Sequence, residues 1–260
     1  PCSCCFRAGA IARIVDGVDN VRLAVREELQ QGASQIKIMA SGGVASPTDP
    51  IANTQYSEAE IRAIVDEAEA ANTYVMAHAY TPRAIRRAIE CGVRTIEHGN
   101  LVDADTARLM AERNAFAVPT QVTYEMLAEH GARFGLAQES VAKIEEVRLA
   151  GRNALRLFAE ADVPMGYGSD LLGEMHEYQT HELKIRAEIL GNLAALRSAT
   201  TVAAQILQRE GELGCIAPGA LADLLVVNGN PLTDIDCLIG QGENLAMIIQ
   251  DGSIKKNTLT

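Results

Sequence analysis

No stretch of this 260-residue chain is apolar for long enough to cross a bilayer, and no charged-then-apolar leader opens it; Pro1-Cys2-Ser3-Cys4-Cys5 is unlike a signal peptide. Positive charge is scarce. With 23 Lys and Arg against 34 Asp and Glu, the net charge of −11 would repel phosphate backbones and anionic membranes. Nucleic acid and membrane are therefore set aside as partners. The expectation is a cytoplasmic protein, which only a leader upstream of residue 1 would change. Of six cysteines, Cys91, Cys215 and Cys237 stand apart with no CxxC partner, while Cys2, Cys4 and Cys5 crowd together. That spacing argues against structural zinc and for reduced thiols, with a metal cluster at Cys2–Cys5 as the lesser alternative. Internal repeats and low-complexity tracts are absent too.

Apolar residues, at 48%, suffice for one sizeable core. From Val18 to Leu207 the pattern alternates helix and strand, which implies parallel strands covered by helices. Val18–Gln31 is helix-periodic, and the run from Gln35 to Met39 reads as a strand. Ser57-Glu-Ala-Glu60 is a capping box opening a helix to about Ala71. Strand Tyr74–Ala77 follows, then Thr81-Pro82 as N-cap and first helical residue, then strand Val93–Glu97. Helix Asp103–Arg113 precedes strand Phe116–Thr120, and helix Ser140–Ala161 precedes strand Pro164–Gly168. Helices near Glu177–Leu190 and Asn192–Leu207 end this part. The fold class is α/β, with about five strand–helix units of a (β/α)8 TIM barrel. Beyond Gly211, short β runs separated by Gly, Pro and Asn indicate a small β element. The division is 1–210 for the barrel portion and 211–260 for the β element.

Four ionisable residues end successive apolar runs. Lys37 precedes Ala40-Ser-Gly-Gly-Val44; His78 lies in Ala77-His-Ala-Tyr80, His98 in Glu97-His-Gly-Asn100 and Asp170 in Tyr167-Gly-Ser-Asp170. This is how side chains are set at the carboxyl ends of barrel strands, and Lys, His, His, Asp reads as a metal site. Each has a plainer reading: Lys37 as a surface lysine, either histidine as a hydrogen-bonded core residue, Asp170 as a helix cap. Two imidazoles ending adjacent strands suit zinc better than core packing does. Glu97 alternates away from His98 and reads as structural. Tyr80, two residues past His78, leans to its side. His130 reads as solvated, while His176 and His181 follow Asp170 in a stretch able to cover a site.

In these motifs the chain resembles the amidohydrolase superfamily, most closely its prolidase-like branch of dipeptidases related to imidazolonepropionase. The resemblance implies two divalent metals, expected to be zinc, with Lys37 carbamylated by carbon dioxide as bridging carboxylate. It further implies His78 and His98 on one metal, Asp170 as metal ligand and proton shuttle, and Tyr80 on the substrate carboxylate; His176, from its place after Asp170 and not from the resemblance, is a further candidate substrate contact. Ala222-Asp-Leu224 and Asp251-Gly252 match recurrent motifs of the family's β-sandwich. The implied activity is attack of a metal-bridged hydroxide on the amide bond of a small carboxylate-bearing substrate, such as an Xaa-Pro dipeptide. Alternatives are an imidazolonepropionase-like cyclic amide hydrolase, a deaminase, or a non-catalytic scaffold on the same fold. The His-x-His pair expected on the first barrel strand has no counterpart and would lie upstream of residue 1. A small-molecule or dipeptide partner is expected, and a homo-oligomer stays open.

Overall fold

Ile36 and Ile38 alternate with Lys37 and Met39, and the alternation is realised as strand β1 (Ile36–Met39), with the isoleucines buried and the other two side chains exposed. The structure, a computed structural model, describes residues 12–44, 48–131 and 138–259. The Cys2–Cys5 cluster lies outside them. Strands β2 (Val75–Ala79), β3 (Thr95–His98) and β4 (Phe116–Val118) pair in parallel in the order β1-β2-β3-β4. Register places Ile38, Ala77, Ile96 and Ala117 level with one another, all at most 5% exposed. Met39, His78, Glu97 and Val118 are level in the same way, one residue along each strand and therefore on the other face.

Helices α1 (Val18–Gln30), α2 (Glu58–Ala70), α3 (Pro82–Glu90) and α4 (Ala104–Glu112) alternate with these strands and pack side by side in that order. Their starts are chemically specified. The Ser57 hydroxyl accepts from the Glu60 amide, and the Glu60 carboxylate accepts from the Ser57 amide at 2.7 Å, which completes the capping box. The Thr81 hydroxyl accepts from the Ala84 amide ahead of Pro82, and Asp103 accepts from the Thr106 amide at 2.8 Å.

The residues divide into two compact units. The first runs to Val118 and resumes over Leu127–Val163; the second comprises Pro119–Met126 and the chain from Pro164. Helix α5 (Gln121–His130), not foreseen from the sequence, begins in the second unit and ends in the first, and α6 (Gln138–Glu160) belongs to the first. Asn100 donates to the Val147 carbonyl at 2.9 Å, tying α6 to the end of β3. Gly99, at φ +66°, passes so close to α6 that a Cβ would lie 2.8 Å from the Phe158 ring.

In the second unit, the expected strand Pro164–Gly168 is not a ladder strand; only Met165 forms a bridge. Pro164 has no amide to donate, and the Tyr167 amide donates to the Ser198 carbonyl instead of to a sheet. A 3-10 turn (Gly173–Tyr178) precedes α7 (His181–Leu190), where one helix from Glu177 was expected. The helix expected over 192–207 is broken into α8 (Asn192–Ala199) and α9 (Thr201–Ile206). At the break, Thr200 has ψ −95°, and a Cβ on Gly214 would lie 2.4 Å from its carbonyl oxygen. Leu183, Ala195 and Ile235 form a buried cluster there, packed by Tyr167 and Leu238.

The last part is the small β element: β5 (Leu224–Val227), β6 (Leu245–Gln250) and β7 (Ser253–Asn257), antiparallel in that order. Asp251 and Gly252 form the two-residue turn between β6 and β7, both with positive φ, which matches the strands' twist. The Asp251 amide donates to the Asp223 carboxylate at 2.7 Å and the Gly252 amide to the Ala222 carbonyl at 3.1 Å. The two motifs noted from the sequence are thus one hydrogen-bonded turn.

Candidate active site

Strand pairing alone would keep His78 and His98 apart, because His98 is level with Ala79 and alternation directs it to the opposite face from His78. The backbone corrects this. His98 has φ +73°, a left-handed conformation uncommon for a residue with a side chain, and Gly99 follows at φ +66°. The two imidazole centroids lie 4.7 Å apart, and Tyr80 joins them, stacked on His98 at 5.3 Å and edge-on to His78 at 4.9 Å. All three side chains are buried. A left-handed histidine held by its surroundings at a strand end is a local cost of the kind that collects at functional sites.

His78 is oriented by the loop after β1. Its Nε2 lies 3.1 Å from the Gly42 carbonyl. A carbonyl oxygen only accepts, so Nε2 carries the proton and Nδ1 keeps its lone pair, the arrangement that fixes a ligating histidine's tautomer. Gly42 is required because a Cβ there would lie 2.0 Å from the Pro50 carbonyl oxygen; Gly43 instead lies beside the His78 ring. The space beside Gly42 and Gly43 is therefore filled by backbone and imidazole. Ser41, fully buried and not singled out by the sequence, accepts from the Tyr80 amide at 3.3 Å.

Burial holds the His78 imidazole down at about 4, partly offset by its bond to Gly42, with the nearby Lys37 charge adding to the depression. His98 is lowered well below its ordinary value, first by burial, then by His78 and Lys37. Both rings are thus neutral at physiological pH, the form that ligates metal. Lys37 lines an open groove of about 550 Å³ along β1 that also includes Met39, Val21, Val25 and Tyr56. Glu97 lies level with His78, on the face away from that of the His98 Cα, and accepts from the Thr95 hydroxyl at 2.6 Å. Among the described residues no three His, Cys, Asp or Glu side chains gather as a metal cage. The first unit does bring together two buried neutral imidazoles, nitrogen donors of the kind that bind zinc, with the Lys37 charge bearing on both.

Asp170 and His176 belong to the second unit. Asp170 also has a left-handed backbone, φ +50°, and its carbonyl accepts from the Thr123 hydroxyl at 3.1 Å. His176 is exposed on the 3-10 turn. His181 opens α7, with its ring 5.5 Å from that of Tyr178 and Nδ1 buried without a hydrogen-bond partner. His130 ends α5 beside Glu129, three-quarters buried rather than solvated. The sequence reading passed over the fully buried pair Glu182–Arg186, with Arg186 Nε 2.7 Å from Glu182 Oε1. The i,i+4 spacing was the available signal. Burial pushes the Glu182 carboxyl up to about 7, against the pull of Arg186 and of the Val122 and Gln121 amides.

The amidohydrolase family profile matches residues 2–255. A crystallised prolidase complexed with N-methylphosphonate-L-proline is 68% identical, with a TM-score of 0.95 over 99% of this chain and 63% of its own. A Xaa-Pro dipeptidase with methionine bound in its active site is 31% identical, with a TM-score of 0.85 over 94% of this chain and 59% of its own. The ochratoxinase of Aspergillus niger is 33% identical over 224 residues, which is 85% of this chain and 46% of that enzyme. The chain thus spans less than two thirds of each of these relatives.

Proposed function

The chain belongs to the amidohydrolase family, and from that premise we propose that it is part of a metal-dependent hydrolase cleaving the amide bond of a small carboxylate-bearing substrate, an Xaa-Pro dipeptide first of all. The observation that carries this reading is the buried cluster of His78, His98 and Tyr80, with two neutral imidazoles and the Lys37 charge close by. Lys37, as a carbamate formed with carbon dioxide, would join His78, His98 and Asp170 in holding divalent ions, which would polarise the scissile carbonyl and acidify water.

The chain's own groups would do the rest. Asp170 would take the proton of the attacking water on its carboxylate and return it to the leaving nitrogen. The Tyr80 hydroxyl would donate to the substrate's carboxylate and so orient the amide. Because Tyr80 is stacked on His98, a substrate held there would be fixed relative to that imidazole. His176, on the exposed turn after Asp170, is the further residue assigned to substrate.

Similarity to both a prolidase and an ochratoxinase leaves two kinds of substrate to compare. The test loads the full-length protein with zinc and measures turnover of Xaa-Pro dipeptides, the matching Xaa-Pro amides, ochratoxin and a cyclic imidazolone. Free-carboxylate dipeptides should be cleaved and their amides spared. Tyr80→Phe should lose about 1–3 kcal/mol in kcat/KM, the scale of a hydrogen bond to a charged group. Inert dipeptides alongside rapid imidazolone opening would move the assignment to the ring hydrolases.

A further inference from the structure

Polar links in the second unit converge on residues 119–123, the segment that enters α5 and forms its first turn. Arg186 Nη2 donates to the Pro119 carbonyl at 2.5 Å, and Glu182 Oε2 accepts from the Val122 amide at 2.7 Å, with the Gln121 amide also bonded to that carboxylate. Arg186 Nε closes the pair on Glu182 Oε1 at 2.7 Å. The same segment then reaches forward, the Thr123 hydroxyl donating to the Asp170 carbonyl at 3.1 Å. A second link runs to the stretch before Asp170: the Arg186 guanidinium lies over the Tyr167 ring at 5.7 Å, and the Tyr167 hydroxyl donates to the Gln179 carbonyl.

We propose that Glu182 and Arg186 form a clamp that positions Asp170 by holding residues 119–123 and, through Thr123, the Asp170 carbonyl. Glu182, Arg186 and Thr123 are positioning residues in this assignment, and their effect on turnover rests on the role given to Asp170 above. Two features argue against a purely structural pair. First, a fully buried ion pair can often be replaced by apolar side chains without loss of stability. Here it is retained although Arg186 Nη1 and both polar side-chain atoms of Gln121 are buried with no hydrogen-bond partner. Second, what the clamp holds is a left-handed aspartate at φ +50°, a backbone state that relaxes unless its surroundings over-determine it. Glu182 supplies acceptors to amides at the start of α5 that no preceding turn can satisfy.

The experiment uses the full-length protein with Thr123→Val, which replaces the hydroxyl by a methyl group, Thr123→Ser, which keeps the hydroxyl, and Glu182→Gln. Each is measured for hydrogen exchange over residues 168–172, melting temperature, and kcat and KM on an Xaa-Pro dipeptide. Surface Arg209→Ala is the control. Thr123→Val should speed exchange at 168–172 and lower kcat about ten- to a hundredfold, as expected for a displaced reacting group, with KM and melting temperature nearly unchanged. Thr123→Ser should recover both. Glu182→Gln should show the same exchange signature if it folds, and the Thr123 pair decides the matter if it does not. Unchanged exchange and kcat in Thr123→Val would overturn the clamp. So would equal losses in Thr123→Val and Thr123→Ser. If Asp170→Asn keeps full turnover, the proton-shuttle reading fails, and the exchange measurement still judges the clamp.

Discussion

Acid should destabilise the metal-stripped protein in a pH window set by His78. The imidazole is 6% exposed, and burial lowers it from 6.5 to about 4. In the unfolded chain it protonates near 6.5, whereas in the folded protein it resists protonation until about 4. Between those values the unfolded state binds the extra proton, so stability is fully present above pH 6.5, declines as pH falls and is lost by pH 4. The displacement is worth roughly 3 kcal/mol at 1.36 kcal/mol per pH unit. His98, lowered further in the same direction, adds to it. The assay is urea unfolding in chelator between pH 7.5 and 4, comparing wild type with His78→Gln, whose amide can still donate to the Gly42 carbonyl but does not titrate. Carboxylate contributions are common to both and cancel in the difference. The two curves should converge by about 3 kcal/mol from pH 6.5 to 4. Parallel curves would refute the reasoning, because they would mean that His78 is solvated or already charged in the fold.

Three further outcomes follow from single contacts. Ser57→Ala removes one side of the capping box of α2 and should lower stability by about 1 kcal/mol in denaturant unfolding, with no effect on metal content. Gly99→Ala combines a positive φ with a Cβ 2.8 Å from the Phe158 ring, so it should cost about 1–3 kcal/mol and also reduce zinc binding, because the adjacent His98 must shift. Isothermal titration with zinc against wild type reads that second effect. His98→Ala should remove most bound metal as measured by elemental analysis, and full activity in a metal-free His98→Ala protein would contradict the proposed function.

Much of the α/β order could be read directly because its signals are local. Ser57 with Glu60 and Thr81 with Pro82 are helix starts whose capping partners lie within three residues, and both form as expected; the helix expected from Asp103 starts there, with the Asp103 carboxylate as its cap. The parallel strands are short apolar runs bounded by turn residues, with His78 and His98 at or next to the ends of β2 and β3 and Lys37 second in β1, so the candidate residues could be picked out by type and place. Where the reading failed, the deciding partner was distant in sequence. Pro164–Gly168 looks apolar enough for a strand, yet the Tyr167 amide is taken by Ser198, thirty-one residues on. Helix 192–207 breaks at Thr200, where the Gly214 backbone passes close by.

The chemical alphabet of the site, and the family to which it belongs, were thus set by the order of residues along the chain. Whether His98 meets His78 was decided by a left-handed turn at His98 and Gly99 that the parallel register alone would not allow. The choice of Nδ1 as the free nitrogen of His78 was made by the Gly42 carbonyl, thirty-six residues away, which could approach only because Gly42 has no Cβ to meet Pro50. The i,i+4 spacing of Glu182 and Arg186 signals a pair but not its burial, since such pairs are usually solvated. Only burial of both side chains against the amides and carbonyl of residues 119–122 separates this pair from the surface ones. Local hydrogen bonds and periodicity are written in adjacent residues; desolvation and contact across the fold exist only once the chain has closed on itself.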